Sequence, residues 1–452
     1  MKTENNISHR PALPRYVLTA ALGLTLGSVS AQDLLTTYEL ALQRDPQLRA
    51  AEATRNAVLE NRPQSIAKLL PTISVGAALN RNSVKSKFDT TQQTFIAGAR
   101  NVGFWDSSAS VNLRQPIYHH DLWVRLSQTD NQIAKAEADF AAEQQNVGLR
   151  IAQAYFNVLL AQDTLEFARA EKRANERLLE QAKARFEVGL IAITDVNSAQ
   201  AGFDQATASE IKTENSLDDA WEALREIIGE GADRLASLRE EIPMNTPEPG
   251  SIEEWGQRAQ ESNLGILSAQ NEAEQAQKGI DLQVSGHLPT LDLVGSAGFT
   301  DNNRPRGIST ESQVIGMQFN LPLFEGGAVN SRIRQARHQF ETAQERLDQQ
   351  RRAVTRQVKD AYRGVLSSIS QVKALRAAVT SSQSAVEATE AGLEVGTRTM
   401  VDVLTEQRNL YRAQQEYAKS RYDYIVNSLT LKQAASILTR SDFELVNGWL
   451  KR

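Results

Sequence analysis

A catalytic protein needs nucleophiles, acids or metal ligands gathered at workable spacings, and this chain offers few. It contains no cysteine, which excludes disulfides, thiolate zinc sites, a Cys nucleophile and an N-terminal lipid anchor. No Walker loop and no nucleophile elbow occurs. His119-His120 is the nearest approach to a metal pair, but adjacent residues at a helix start point apart. The sequence therefore predicts no enzyme, no metal site and no cofactor. What recurs instead is a pair of segments, EVGLIAITDV at 187–196 and EVGTRTMVDV at 394–403. Each begins with Glu-Val-Gly and ends with Asp-Val, and the copies lie 207 residues apart.

Chemistry at such a motif depends on what carries it. The 207 spacing continues upstream, where Ala154-Tyr155 matches Ala361-Tyr362. Leu126, Ile133, Phe140, Val147 and Ala154 align with Ile333, Phe340, Leu347, Val354 and Ala361. Further back, LPTISV (70–75) and LPTLDL (288–293) repeat at a spacing of 218. The chain reads as a tandem duplication, with units at about 32–230 and 251–440. Each unit holds a proline-free run, 121–188 or 327–395, with an apolar residue at every seventh position. At about 1.5 Å per residue each run makes a helix of about 100 Å. A sustained heptad seam demands partner helices along its length. Shorter helical stretches are expected near 34–68, 193–229, 251–285 and 399–438.

Four segments have strand periodicity instead, near 72–84, 104–116, 289–300 and 312–322. Ile73, Val75, Ala77 and Leu79 alternate with small or polar residues, as do Ile315, Met317, Phe319 and Leu321. Pro71, Pro116, Pro289 and Pro322 are expected to end the strands or the helices beside them. Each strand is about 10 residues, enough to cross a bilayer when tilted. Phe104 and Trp105 at one end, and Tyr118, Trp123 and Phe324 at the other, suit membrane interfaces. A soluble sandwich would also use amphipathic strands. Four strands cannot close a membrane barrel, and an open edge in lipid is too costly. The chain must then share its barrel with other copies; two would give about 8 strands and three about 12.

A net charge of −5 argues against nucleic acid as a partner. His9, Arg10 and Arg15 precede a short apolar run and small residues ending at Ala31. Residues 1–31 thus read as a cleaved secretory signal. No later stretch holds 18 consecutive apolar residues, so no transmembrane helix is expected.

These pieces together resemble the TolC family of outer-membrane efflux proteins. The resemblance covers essentially all of the chain after the signal. It rests on YELALQRDPQLRAAEA, FEVGLIAITDVNSAQ, GHLPTLDL, LPLFEGGAVNSRIRQA and EAGLEVGTRTMVDVLTEQRNLYRAQQEYAKSRYDYIVNSLTLKQA, in that order. It implies an α+β membrane protein: a long α-helical coiled-coil barrel plus a transmembrane β-barrel, four strands per chain, completed as a homotrimer. It also implies residence in outer-membrane lipid with a long periplasmic extension. Partners would be a periplasmic adaptor (membrane fusion) protein and an inner-membrane ABC or RND-type pump. The implied function is a passive exit duct for drugs, secreted polypeptides or both. A dedicated type I secretion channel is the alternative, and a periplasmic coiled-coil adaptor is a rival from another class.

The resemblance also gives the opening motifs a role. They would sit at the periplasmic tips, where Gly189 and Gly396 let the chain reverse. An adaptor hairpin would dock on Val188, Gly189 and Leu190, and on Val395, Gly396 and Thr397. Thr194, Asp195 and Arg398 would join a closing network between neighbouring helix pairs, and Asp402 a ring of acids at the entrance. An Asp in the first turn of a helix is also favoured by the dipole alone, so the residues by themselves leave both readings open. Leu393, Ala184 and Thr405 depart from the family pattern, standing where relatives place a Tyr, a Gln and a second acid. The chain also stops soon after LVNGWLKR, without the long polar C-terminal tail of some relatives.

Overall fold

The computed structural model describes residues 31–85, 101–230, 234–303 and 309–451. The expected signal segment therefore lies, apart from Ala31, outside the described residues. Two helices dominate: α4 (His120–Glu187) has 68 residues and α8 (Ala328–Glu394) has 67. At about 1.5 Å per residue each is about 100 Å long. Each turns back into a shorter helix, α5 (Ile193–Ile228) after α4 and α9 (Met400–Ala434) after α8. No described helix is long and apolar enough to cross a membrane.

The remaining helices differ from the continuous stretches expected near 34–68 and 251–285. The first divides into α1 (Leu34–Arg44), α2 (Pro46–Leu59) and α3 (Asn61–Ala67), the second into α6 (Ile252–Ser262) and α7 (Leu264–Val284). At Asp45 and Asn263 the physical reason is capping; the break at Glu60 has no side-chain cap. Asp45 leaves helical geometry and accepts a hydrogen bond from Leu48 N at 2.7 Å, with Pro46 at the first position of α2. Asn263 does the same for Ile266 N at 3.1 Å. An Asp or Asn cap satisfies an N–H that a new helix would otherwise leave unpaired. A further helix, α10 (Arg440–Asn447), lies beyond the expected end of the last one.

Helices α1, α2, α6 and α10, the start of α7 and the segment after α5 gather at mid-height around one core. Val147, Ile151, Tyr155 and Phe156 of α4 meet Val354, Val358 and Val365 of α8 there, with Ile425, Leu429 and Leu431 of α9. Tyr155 Oη donates to Ala236 O at 2.8 Å, and Tyr362 Oη donates to Gly250 O at 2.6 Å. The tyrosines matched by the 207 spacing thus pin the two ends of one irregular segment. Arg150 ties down the cap itself: its Nη2 donates to Asp45 Oδ1 and Oδ2, both at 3.0 Å.

The strands are β1 (Thr72–Lys85), β2 (Asn101–Tyr118), β3 (Thr290–Asn302) and β4 (Thr310–Asn320), antiparallel in the order β1-β2-β3-β4. Register puts the apolar positions in common rows: Ile73, Leu113, Gly295 and Ile315 in one, Leu293 with Met317 and Leu291 with Phe319 in others. Side chains alternate across a strand, so the other face carries Ser74, Asn112, Ser296 and Val314 in one row and Gly76, Ser110, Gly298 and Ser312 in the next. Val75, Ile315 and Met317 are more than 70 % exposed within the chain.

Two sequence expectations change here. Pro116 does not end its strand: β2 continues to Tyr118, and the register slips between Pro116 and Tyr118. A bulge needs no ladder N–H at the extra residue, so proline is tolerated beside it. Phe104 pairs with Asn82 in a row of the polar face and is 6 % exposed, so it is no interface aromatic. Trp105, beside it, lies in the row of Arg81 on the apolar face and is half exposed.

Candidate functional site

The two EVG segments form the same turn. Gly189 has φ +75° and Gly396 has φ +77°, the left-handed region where a side chain is strained. Leu190 N donates to Arg185 O at 2.9 Å and Gly189 N to Phe186 O at 2.9 Å. In the second copy Thr397 N donates to Gly392 O at 2.8 Å and Gly396 N to Leu393 O at 3.3 Å. Both are Schellman terminations, which pair carbonyls that a helix end leaves free and require a residue such as glycine at that position. A Cβ on either glycine would meet no heavy atom within 4 Å. Backbone geometry, not crowding, therefore demands glycine within the chain.

Around each turn the apolar residues face outward. Val188 is 70 % exposed, Leu190 73 % and Val395 75 %. A small core beneath them joins the two hairpins, formed by Leu178, Leu179, Ala182, Ala199, Met400 and Val403. Leu393 packs against this core. Where the resemblance expects a hydroxyl for a polar network, the chain puts apolar packing instead. Ala184 and Thr405 are exposed, and Thr405 Oγ1 donates back to Val401 O at 2.7 Å.

The polar residues of the site behave unequally. Thr399 and Asp402 form a full capping box at the start of α9. The Thr399 N–H, with its hydroxyl and the Arg398 charge, holds the Asp402 carboxyl below the usual carboxylate range. In the first copy the equivalent cap is Ala192, which has no side-chain acceptor. Asp195 consequently makes no side-chain hydrogen bond or ion pair among the described residues. Thr194 is exposed, and its carbonyl accepts from Ser198 Oγ at 2.9 Å. Arg398 is exposed, and no ion pair joins it to Asp195 within the chain. The structure thus brings Asp402 and Arg398 together at one turn and leaves Asp195 on the neighbouring hairpin without a partner.

Several contributors escape sequence reasoning. Gly392 makes room for Arg398, whose Cγ would lie 2.6 Å from a Cβ there. Gly202 of α5 receives Leu404 of α9, 2.9 Å from where its Cβ would be. Both glycines interrupt a helical pattern, which is the signal that marks close approach. Asn175 donates to Gly202 O at 3.2 Å, and Gln407 donates to Glu390 Oε1 at 3.0 Å. Each is buried, and its carbonyl oxygen finds no hydrogen-bond partner among the described residues. Among the described residues no cluster of three His, Asp or Glu side chains forms a metal site.

Comparison with known proteins places this geometry. The family model described as outer membrane efflux protein matches residues 37–230 and 255–436. The chain is 39% identical to outer membrane protein TolC of Vibrio cholerae, covering 97% of this chain and 98% of that one. It is 31% identical to the alkaline protease secretion protein AprF of Pseudomonas aeruginosa, covering 96% and 90%. The outer membrane channel CmeC of Campylobacter jejuni shares the fold with a TM-score of 0.75 at 16% identity, covering 97% of this chain and 95% of that one. With the helical hairpins and the four-stranded sheet already described, these matches make the chain a member of the outer membrane efflux protein family, a channel protein of the outer membrane that serves efflux and type I secretion.

Proposed function

We propose that the chain is one protomer of a homotrimeric exit duct. It would be built of two tandem repeats, 32–230 and 251–440, after removal of residues 1–31. The observation that carries this reading is the sheet: its order leaves β1 and β4 each with an open edge, and its apolar face is exposed. In lipid, unpaired edges must be closed by another copy. Two chains would give an eight-stranded barrel, whose interior side chains fill; three give a wider channel. Mass measured on the detergent-solubilised protein tests this, with three copies expected. A stable folded monomer would overturn it. Deleting 72–80 should abolish insertion, because it removes one closing edge.

The tips carry the finer half of the proposal. The exposed Val188, Leu190 and Val395, with Gly189, Gly396 and Thr397, suit a shallow apolar notch for the helical hairpin of a periplasmic adaptor. That adaptor would couple the duct to an inner-membrane ABC or RND-type pump. Asp195 and Thr194 on one hairpin would face Arg398 of a neighbouring pair when the entrance is shut, and Asp402 would line it with acid. The support is that Asp195 makes no side-chain hydrogen bond or ion pair among the described residues of its own chain. The similarity to AprF, named for alkaline protease secretion, favours secreted polypeptides among the cargo.

A further inference from the structure

The helices of one chain lie side by side in a fixed order, and both ends of that order are exposed. Toward the tips α5 packs on α4, α4 on α9 and α9 on α8. Nearer the sheet α2 and α3 pack on α4, α4 on α7 and α7 on α8. One flank of the protomer therefore presents β1, α2, α3 and α5, and the other presents β4 and α8, with α6 packed beside α8 at mid-height. A ring closed head to tail must join these unlike flanks.

Their charges are opposite. On α8, Arg352, Arg356, Arg363 and Lys373 are exposed and Lys359 is half-buried, on the side of the helix away from its buried row Val354, Val358, Val365 and Val372. Arg352 pairs with Asp348 and Arg363 with Asp360 along the same helix, and the basic groups remain in excess. On α5, Glu214, Asp218, Glu222 and Glu226 follow one another at four-residue steps and are exposed, off its buried row of Ala199, Ala206, Leu224 and Ile228. Glu214 pairs with Arg169 of α4 and Glu222 with Arg225, while Asp218 and Glu226 make no ion pair among the described residues. The heights meet at the top of α5. Arg363 stands about 32 residues above the turn at Val395 and Glu226 about 33 above the start of α5, or about 50 Å for each by helical rise, while Arg352, Arg356 and Lys359 rise just past the end of α5.

We propose that the basic flank of α8 receives the acidic flank of α5 from a second copy of this chain, fixing the direction of the ring and steering its assembly. The inference rests on the oligomeric reading above. Exposed ion pairs add little to the stability of a finished assembly. Complementary potentials instead raise the rate of correct encounter and disfavour like flanks meeting. The basic flank repels another basic flank, so a head-to-head pair with two open barrel edges is disfavoured from the first contact.

The natural absence of cysteine gives a clean test. Glu226→Cys and Arg363→Cys in one full-length chain, treated with a flexible bismaleimide after assembly in detergent, should yield covalent dimers and trimers, while either substitution alone yields none. An assembled trimer that fails to cross-link would overturn the flank assignment and leave the oligomer standing; absence of any oligomer in the unsubstituted protein would overturn the underlying reading instead. In a second arm, Arg356→Glu with Arg363→Glu should slow assembly at low salt at least about tenfold, a gap closing as salt screens the charges. Adding Glu222→Arg and Glu226→Arg should restore the rate. Assembly unaffected by the one-sided reversal, or no recovery in the combined variant, would overturn the steering role.

Discussion

Thr399 and Asp402 hold each other in both directions. Thr399 N donates to Asp402 Oδ2 at 2.9 Å, and Asp402 N donates to Thr399 Oγ1 at 3.2 Å. The equivalent pair in the first half is Ala192 and Asp195, where no such exchange exists. Two aspartates that occupy the same place in a repeated motif are therefore differently employed, one as part of a cap and one without a partner.

The cap and the entrance charge can be separated by mutation. Thr399→Ala removes the hydroxyl half of the box and keeps both the carboxylate and the backbone N–H that it accepts from, whereas Asp402→Ala removes the box and the charge. Cation selectivity in planar bilayers should weaken in Asp402→Ala and persist in Thr399→Ala at neutral pH. The carboxyl is held below its ordinary value by Thr399. Its stabilisation is thus complete above the ordinary carboxylate value and is lost as pH falls through the lowered folded one. Selectivity of the natural protein should accordingly survive to more acidic pH than that of Thr399→Ala. Identical acid limits in the two would show that the Thr399 hydroxyl does not tune this group.

Gly396 should tolerate size better than it tolerates a Cβ. Space around it is open but its φ is +77°, so any non-glycine residue there costs about 1 kcal/mol through the backbone, with Asn least affected. Gly396→Asn and Gly396→Trp should both form trimers by detergent mass measurement. If the turn is also a docking notch, only Gly396→Trp abolishes export. Equal export by the two would assign the glycine to the turn alone.

Arg398→Ser should raise single-channel conductance without lowering the thermal stability of the trimer. An exposed pair is worth about 1 kcal/mol at most, but a threefold ring repeats it. Leu393 already replaces a polar side chain with packing against the small tip core, so few other polar clamps oppose opening. Unchanged conductance would withdraw the gating role of Arg398 and Asp195.

Tyr155→Phe leaves the carbonyl of Ala236 without its buried donor. A loss of about 1–3 kcal/mol is expected, seen as a lowered melting temperature with conductance unaltered. Tyr362→Phe should behave alike at Gly250. If neither shifts the melting temperature, water supplies the missing donor.

The long helices, the strands and the repeated turns were legible in the sequence because local periodicity decides them. An apolar residue at every seventh position can bury one face only as a helix, and α4 and α8 begin and end within a residue or so of the proline-free runs. Alternation likewise marked the strands, and Gly189 and Gly396 marked turns that only glycine makes without strain. What periodicity could not decide were features settled between distant segments. Whether β2 stops at Pro116 depends on its pairing with Asp292 of β3, which absorbs the missing N–H in a bulge. Phe104 turned to the polar face because the Asn82 register put it there. The breaks at Asp45 and Asn263 depend on side-chain caps competing with helix continuation, a balance that Arg150 tilts from 105 residues away at the first of them. The order of helices around the protomer, with α5 and α8 at opposite flanks, follows from packing between the halves. Burial against a partner far along the chain is a property of three-dimensional contact, and no local spacing encodes it.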